Sequence, residues 1–234
     1  MSKDAPALRS KALAIYDLLL AHYGAPAEKE RRDPLSELVA TILSQNTADV
    51  NTERAYRRLR ERFPTWEEAL HAPVEEVAAA IRVAGLSQIK APRIQAILRT
   101  LQEERGALSL DFLAEMSVPE ARQYLTSLHG VGHKTASCVL LFALHKPALP
   151  VDTHVHRVSG RLGLVPARAS AEKANALLEA LLPEELYYPF HLLLIQHGRT
   201  LCAARRPRCP ECPVSALCDY WAAAASAPAA EPGA

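Results

Sequence analysis

Long hydrophobic runs are missing from this chain of 234 residues. None approaches the roughly 18 apolar residues that a helix needs to cross a bilayer, so a helical membrane protein is excluded. Met1 to Asp4 has neither the basic start nor the apolar core of a secretory leader, so none is expected and the cytoplasm is the expected location. Charge of one sign is scarce. Against 26 Asp and Glu stand 27 Lys and Arg, a net charge of +1, so binding to a polyanion must come from local basic clusters rather than from the whole surface. Sustained alternation of apolar and polar residues is absent, which argues against half-buried strands, and no internal repeat of solenoid length occurs. Cysteine is sparse and unevenly placed: of five in all, four fall between Cys202 and Cys218. That distribution is unlike a secreted disulfide framework and reads as a metal or cluster site.

What the chain does have is helical periodicity, and the expected fold class is all-α. Leu8, Ala12, Ile15, Tyr16, Leu19 and Tyr23 repeat at helical spacing until Gly24 and Pro26 stop them. Asp33-Pro34 pairs a cap with a first-turn proline ahead of Leu35, Leu38, Val39 and Ile42, in a helix ending near Ser44. Asp49 is expected to cap an arginine-rich helix to Arg62, whose arginines read as a solvated face. Thr65 to Glu68 forms a capping box, Pro73 opens a helix that Gly85 closes, and Pro92 is expected to begin a helix reaching Arg105. Ser117-Val-Pro-Glu120 starts another helix, and Lys134 to Leu144 is apolar almost all round and should be buried. From Ala222 onward the chain has no large apolar residue and is expected to fray.

Two constellations carry chemistry. The first is Leu128-His-Gly-Val-Gly-His-Lys134, with Asp152 in the segment Val151-Asp-Thr-His154. Gly130, Val131 and Gly132 allow a tight turn whose N–H groups approach a phosphate, and the helix that follows favours the same anion at its start. Lys134, partly desolvated beside a bound phosphate backbone, is placed to act as an amine nucleophile, with Asp152 supplying a carboxylate. The second is Cys202, Cys209, Cys212 and Cys218, spaced C-x6-C-x2-C-x5-C. Four thiolates so close in sequence can hold one metal centre, and spacing alone leaves zinc and an iron-sulfur cluster both open. The loop after the first of them presents Arg205, Arg206 and Arg208, guanidiniums suited to phosphate. Cys138 stands apart on an apolar stretch and reads as a small buried hydrophobe.

Taken together, the hairpin, the lysine, the Asp152 loop from His145 to Val151 and the cysteine array closely resemble the endonuclease III family of DNA repair enzymes. The resemblance implies a two-lobed helix-hairpin-helix DNA glycosylase fold. One lobe would be a helical barrel of residues 26–146, the other an iron-sulfur lobe of residues 1–25 and 147–222, with the active-site groove between them and residues 223–234 a disordered tail. It implies a 4Fe-4S cluster on the four cysteines, damaged double-stranded DNA as partner, a monomer, and a location in the bacterial cytoplasm with the nucleoid. Lys134 would form a Schiff base and Asp152 would assist base displacement. Thr135, the hairpin glycines and Val131, with Arg205, Arg206 and Arg208, would touch DNA.

Residues 43–49 resemble the family loop in which a glutamine enters the gap left by a flipped base. Asn46 falls at that position and Gln45 one residue earlier. Leu86 resembles the intercalating residue of a second wedge loop. His129 and His133 depart from the usual proline and arginine, and Leu86 to Lys134 is longer than in well-known bacterial members, with an extra segment around Leu110 to Met116. The resemblance points to a glycosylase with abasic-site lyase activity on oxidised pyrimidines. A mismatch-specific member acting on T or U opposite G, and a catalytically weak damage-binding protein, remain alternatives.

Overall fold

A computed structural model of the protein describes residues 5–27 and 31–226. Among them are twelve α-helices and no β-strand, the all-α class expected: α1 Ala5–Tyr23, α2 Pro34–Ser44, α3 Asp49–Arg62, α4 Trp66–His71, α5 Val74–Ala80, α6 Ser87–Arg105, α7 Val118–Ser127, α8 His133–Cys138, α9 Thr153–Arg161, α10 Ala171–Leu181, α11 Tyr187–Thr200 and α12 Asp219–Ser226. None of the described helices is long and apolar enough to cross a membrane. The chain divides into two compact units, Glu30–Ala148 and the pair Met1–Lys29 with Leu149–Ala234.

In the unit of residues 30–148, α2 is the central helix. Asp33 caps it by accepting from Ser36 N at 2.9 Å, Pro34 opens it, and Leu38, Ile42 and Leu43 are fully buried. It packs against α3, α6 and α8 and the π-helical turn Val139–Ala143 that continues α8. Truncating Ile42 in so dense a core costs about 2–5 kcal/mol. Ser117 and Glu120 close a full capping box at the start of α7. The extra segment after α6 is a short 3-10 turn, Asp111–Glu115, anchored by the buried Leu110 and Leu113. Cys138 is buried, as expected.

Three boundary expectations are corrected. Ala48, not Asp49, stands at the start of α3, and Asp49 is instead the helix's first residue. Pro92 does not begin α6 but lies inside it: the helix starts at Ser87, because Lys90 and Ala91 are buried while Pro92 is on the exposed side near the helix start. The chain also remains helical through Ser226, past the point where fraying was expected, since the alanines after Trp221 carry the highest helix propensity. The rest of the expected tail, residues 227–234, lies outside the described residues.

In the second unit, α1 packs on α10 and α11, and α9 on α11 and α12. Gly24, at φ 77, ends α1 by donating its N–H to Leu20 O at 2.9 Å. Ala12, Ile15 and Leu19 of α1 are fully buried, as are Val155, Val158, Phe190, Leu193 and Leu194. The segment leading into α9 is held by buried polar groups: Asn175 donates to Leu149 O at 2.5 Å and His191 Nδ1 pairs with Pro150 O at 2.9 Å.

Candidate active site and nucleic-acid contacts

The helix-hairpin-helix is built as a turn after α7. Val131 N donates to Leu128 O at 3.1 Å, and Gly130 takes φ 76, a conformation that glycine adopts without penalty. A second constraint bears on Gly130, because a Cβ there would run into the Arg93 side chain, which Gln45 holds in place. Gly132 is the N-cap of α8, and Lys134 follows in the first turn, half-buried, its amine making no hydrogen bond or ion pair among the described residues. Gly130 and Gly132 are exposed, whereas Val131 and Thr135 are each only 5% exposed. The Val131 and Thr135 side chains pack inward, and the exposed surface of the turn is made by His129, Gly130, Gly132 and His133, with Lys134 half-buried beside them.

Asp152 stands at the N-cap of α9. Its Oδ1 accepts from Val155 N at 2.7 Å and caps α9, while the group stays half-exposed. Asparagine caps as well as aspartate, so Asp152→Asn is expected to keep thermal stability while slowing base removal more than cleavage of a preformed abasic site. Asp152→Ala should in addition cost about 1 kcal/mol. Thermal unfolding of the two variants, beside their rates on the two substrates, separates charge from cap. Of the neighbouring histidines, His156 Nε2 is paired with Ala169 O at 2.8 Å and His154 Nδ1 with Arg157 at 3.2 Å. Both are engaged within their own unit.

The two expected wedge loops carry non-glycine residues at positive φ, Asn46 at 55 and Leu86 at 50. Asn46 is exposed, and so are Leu86 at 51% and Ile89 at 54%. Gln45 is less free, since Arg93 Nη1 donates to its Oε1 at 2.8 Å. Behind both loops lies Lys90, 1% exposed, donating to Leu43 O, Thr47 Oγ1 and Ala84 O at 2.8, 2.9 and 3.0 Å. Burial, helped by the Arg93 charge, pulls its pKa down to about 8, so at neutral pH it still donates as an ammonium. Sequence reasoning passed over Lys90 and Arg93 because charged residues of a helix are ordinarily solvated.

Cys202, Cys209, Cys212 and Cys218 line a single cavity with Val158, Arg161, Leu201 and His197. Burial pushes the Cys209 and Cys212 thiols up, and the neighbouring cysteines add to the effect. Arg161 donates to Cys202 Sγ at 3.3 Å and to Ala203 O at 2.7 Å, while Arg157 reaches Gly198 O at 2.9 Å and Cys202 O at 3.1 Å. These two arginines, one turn apart on α9, were also missed; their i,i+4 spacing was the available signal. Burial, with a smaller contribution from His22, lowers the His197 pKa to about 4, leaving a neutral ring whose Nδ1 meets Tyr23 Oη at 2.9 Å. In the loop between the first two cysteines, Arg205 and Arg206 are exposed, whereas Arg208 is bound to Glu211 at 3.1 Å and to Thr200 O at 3.0 Å. No group of three or more His, Cys, Asp or Glu among the described residues is placed to hold a metal ion. The four thiols instead surround a common space.

An all-helical fold with a glycine hairpin, a free lysine behind it and a four-cysteine cavity defines a helix-hairpin-helix base-excision repair protein, and residues 39–184 match the HhH-GPD superfamily base excision DNA repair protein model. Endonuclease III of Thermotoga maritima is 39% identical over 196 residues, covering 84% of this chain and 87% of that protein. A solved structure of a trapped endonuclease III–DNA covalent intermediate has a TM-score of 0.80 at 32% identity, covering 93% of this chain and 98% of the other. The structure of a thermostable thymine-DNA glycosylase has a TM-score of 0.75 at 25% identity, covering 94% and 98%. The chain belongs to the endonuclease III family.

Proposed function

We propose that this base-excision DNA glycosylase and abasic-site lyase removes oxidised pyrimidines from damaged double-stranded DNA with Lys134 as nucleophile, acting as a cytoplasmic monomer. The observation that carries the reading is the unpaired Lys134 amine in the first turn of α8, directly after an exposed glycine backbone suited to phosphate. The amine attacks C1′ of the sugar and the damaged base departs with the bonding electrons, the Asp152 carboxylate stabilising the positive charge that develops on the sugar. The amine nitrogen loses its protons as the ring opens to a Schiff base. Loss of a C2′ proton then expels the 3′ phosphate, cutting the strand by β-elimination. Gly130 and Gly132 position the backbone, Arg205 and Arg206 add phosphate contacts, and Arg208 braces their loop. Leu86 wedges the stack and Asn46, at the free tip of its loop, faces the orphaned base while Gln45 is held by Arg93.

The four cysteines fit a 4Fe-4S cluster better than zinc. A single zinc ion draws its ligands to one point, whereas in a cube each iron takes its own cysteine and the thiolates stand around a larger body. Four thiols that line one common cavity suit the second case. Bound there, the cluster supplies structure by cross-linking the C-terminal segment. Purified protein is expected to be brown, with about four irons and acid-labile sulfide per chain; stoichiometric zinc without sulfide would reject it.

A panel of duplexes, each carrying one lesion, tests the substrate assignment. Cleavage with borohydride trapping at oxidised pyrimidines is the expected result, and turnover confined to T or U opposite G would favour the mismatch reading. In the same panel, Leu86→Ala should impair cleavage of an intact lesion far more than that of an abasic site, because flipping a stacked base costs on the order of a few kcal/mol and an abasic site has no base to unstack. Equal losses would make Leu86 a packing residue.

A further inference from the structure

Both loops proposed to distort DNA converge on one buried ammonium. Lys90 Nζ spends its three N–H donors on three separate segments: the carbonyl Leu43 O at the end of α2, the side-chain hydroxyl Thr47 Oγ1 in the following loop, and the carbonyl Ala84 O in the 3-10 turn Arg82–Ala84. The Thr47 hydroxyl lies 2.5 Å from Ala84 O and 3.1 Å from Gln45 O, so the two loops are also joined directly. One residue beyond Gln45 stands Asn46, and two beyond Ala84 stands Leu86, each in the left-handed region that a side chain disfavours. Such backbone persists only where its surroundings over-determine it. An ammonium suits this place because one atom offers three donors, whereas a neutral chain of equal length would fill the space, take the Lys90 donor from the Leu43 carbonyl and leave Ala84 O with the Thr47 hydroxyl alone.

Resting on the wedge-loop reading above, we propose that Lys90 is a positioning residue for DNA distortion, locking the Asn46 and Leu86 loops into one rigid element that enters the helix as a unit. At 1% exposure it touches no DNA itself and acts only through the loops. The lock explains how two segments far apart in sequence keep strained tips without a ligand. It also predicts that the two tips lose function together.

The test uses the whole protein and a duplex with 2-aminopurine opposite a tetrahydrofuran abasic analogue, whose fluorescence rises when the orphaned base is unstacked and which needs no turnover. At saturating protein, wild type should brighten the probe and Lys90→Met should lose most of that rise. Adding Leu86→Ala to Lys90→Met should dim the signal no further than the stronger single change, since both act on one element. On an intact lesion duplex Lys90→Met should slow single-turnover base removal by about tenfold or more, with strand cleavage at an abasic site in single-stranded DNA kept within about threefold. Should Lys90→Met fail to fold, Thr47→Val, which removes one acceptor of the lock and its bridge to Ala84, should show the same pattern at smaller size. Wild-type brightening in folded Lys90→Met, or in Thr47→Val where the first variant is lost, overturns the proposal, as does a wild-type complex that leaves the probe dark. A wild-type protein inert on every lesion but bright with the probe would reject the enzymatic reading and leave the lock standing.

Discussion

Replacing Lys134 with glutamine should abolish strand cleavage and borohydride trapping while lesion-bearing duplex is still bound. The nucleophile leaves, but the hairpin that holds the phosphate is backbone: Gly130 keeps its φ of 76 and Gly132 its place as N-cap, and neither depends on the lysine. Because the Lys134 amine makes no hydrogen bond or ion pair among the described residues, its loss leaves no partner stranded and the fold intact. Losing a covalent nucleophile costs several orders of magnitude in rate. Gel-shift affinity within a few-fold of wild type beside a blank trapping gel is the expected pair of results. A trapped adduct in Lys134→Gln would assign the chemistry to another amine.

The second large effect is expected at the cysteines. Between Leu201 and Cys218 the chain makes only two short 3-10 turns, Cys209–Glu211 and Ser215–Leu217, and its buried apolar residues are Leu201 and Val214. Arg157 and Arg161 hold the carbonyls of Cys202 and Ala203, yet two buried side chains and a few hydrogen bonds fall short of the roughly 1–2 kcal/mol that each ordered residue loses in backbone entropy. On the proposed cluster reading, cross-linking through the cysteines makes up the difference. Cys212→Ala should therefore give colourless, poorly soluble protein, with any soluble fraction melting on the order of ten degrees lower. Unchanged melting in a metal-free variant would show that the segment holds itself.

The hairpin turn and the convergence of the four thiols were legible because both are local: Gly130 and Gly132 mark a tight turn, and cysteines at short spacing can face one space. Helix starts were legible where a side chain caps the backbone, as at Asp33 and Ser117, and misread at two places where none does. Ala48 opens α3 without a side-chain bond, and a left-handed Leu86 precedes α6 where Pro92 had seemed the better signal. The buried Lys90 could not be read at all, for periodicity counts lysine as a surface residue and only tertiary structure brings Leu43, Thr47 and Ala84 to it. The same holds for Gln45, whose capture by Arg93 joins residues 48 apart. Arg208, one of three look-alike arginines, is set apart from Arg205 and Arg206 by an ion pair three residues on.

The helix α1 finds its partners, α10 and α11, near the opposite end of the chain. At synthesis rates of about 5–20 residues per second, Ala12, Ile15 and Leu19 wait roughly ten to forty seconds before α11, ending at Thr200, has been made to cover them. Residues 30–148 are contiguous and can collapse meanwhile. Helix α1 thus leaves the ribosome well before the helices that bury it, and its apolar stripe stays bare on the nascent chain in the meantime.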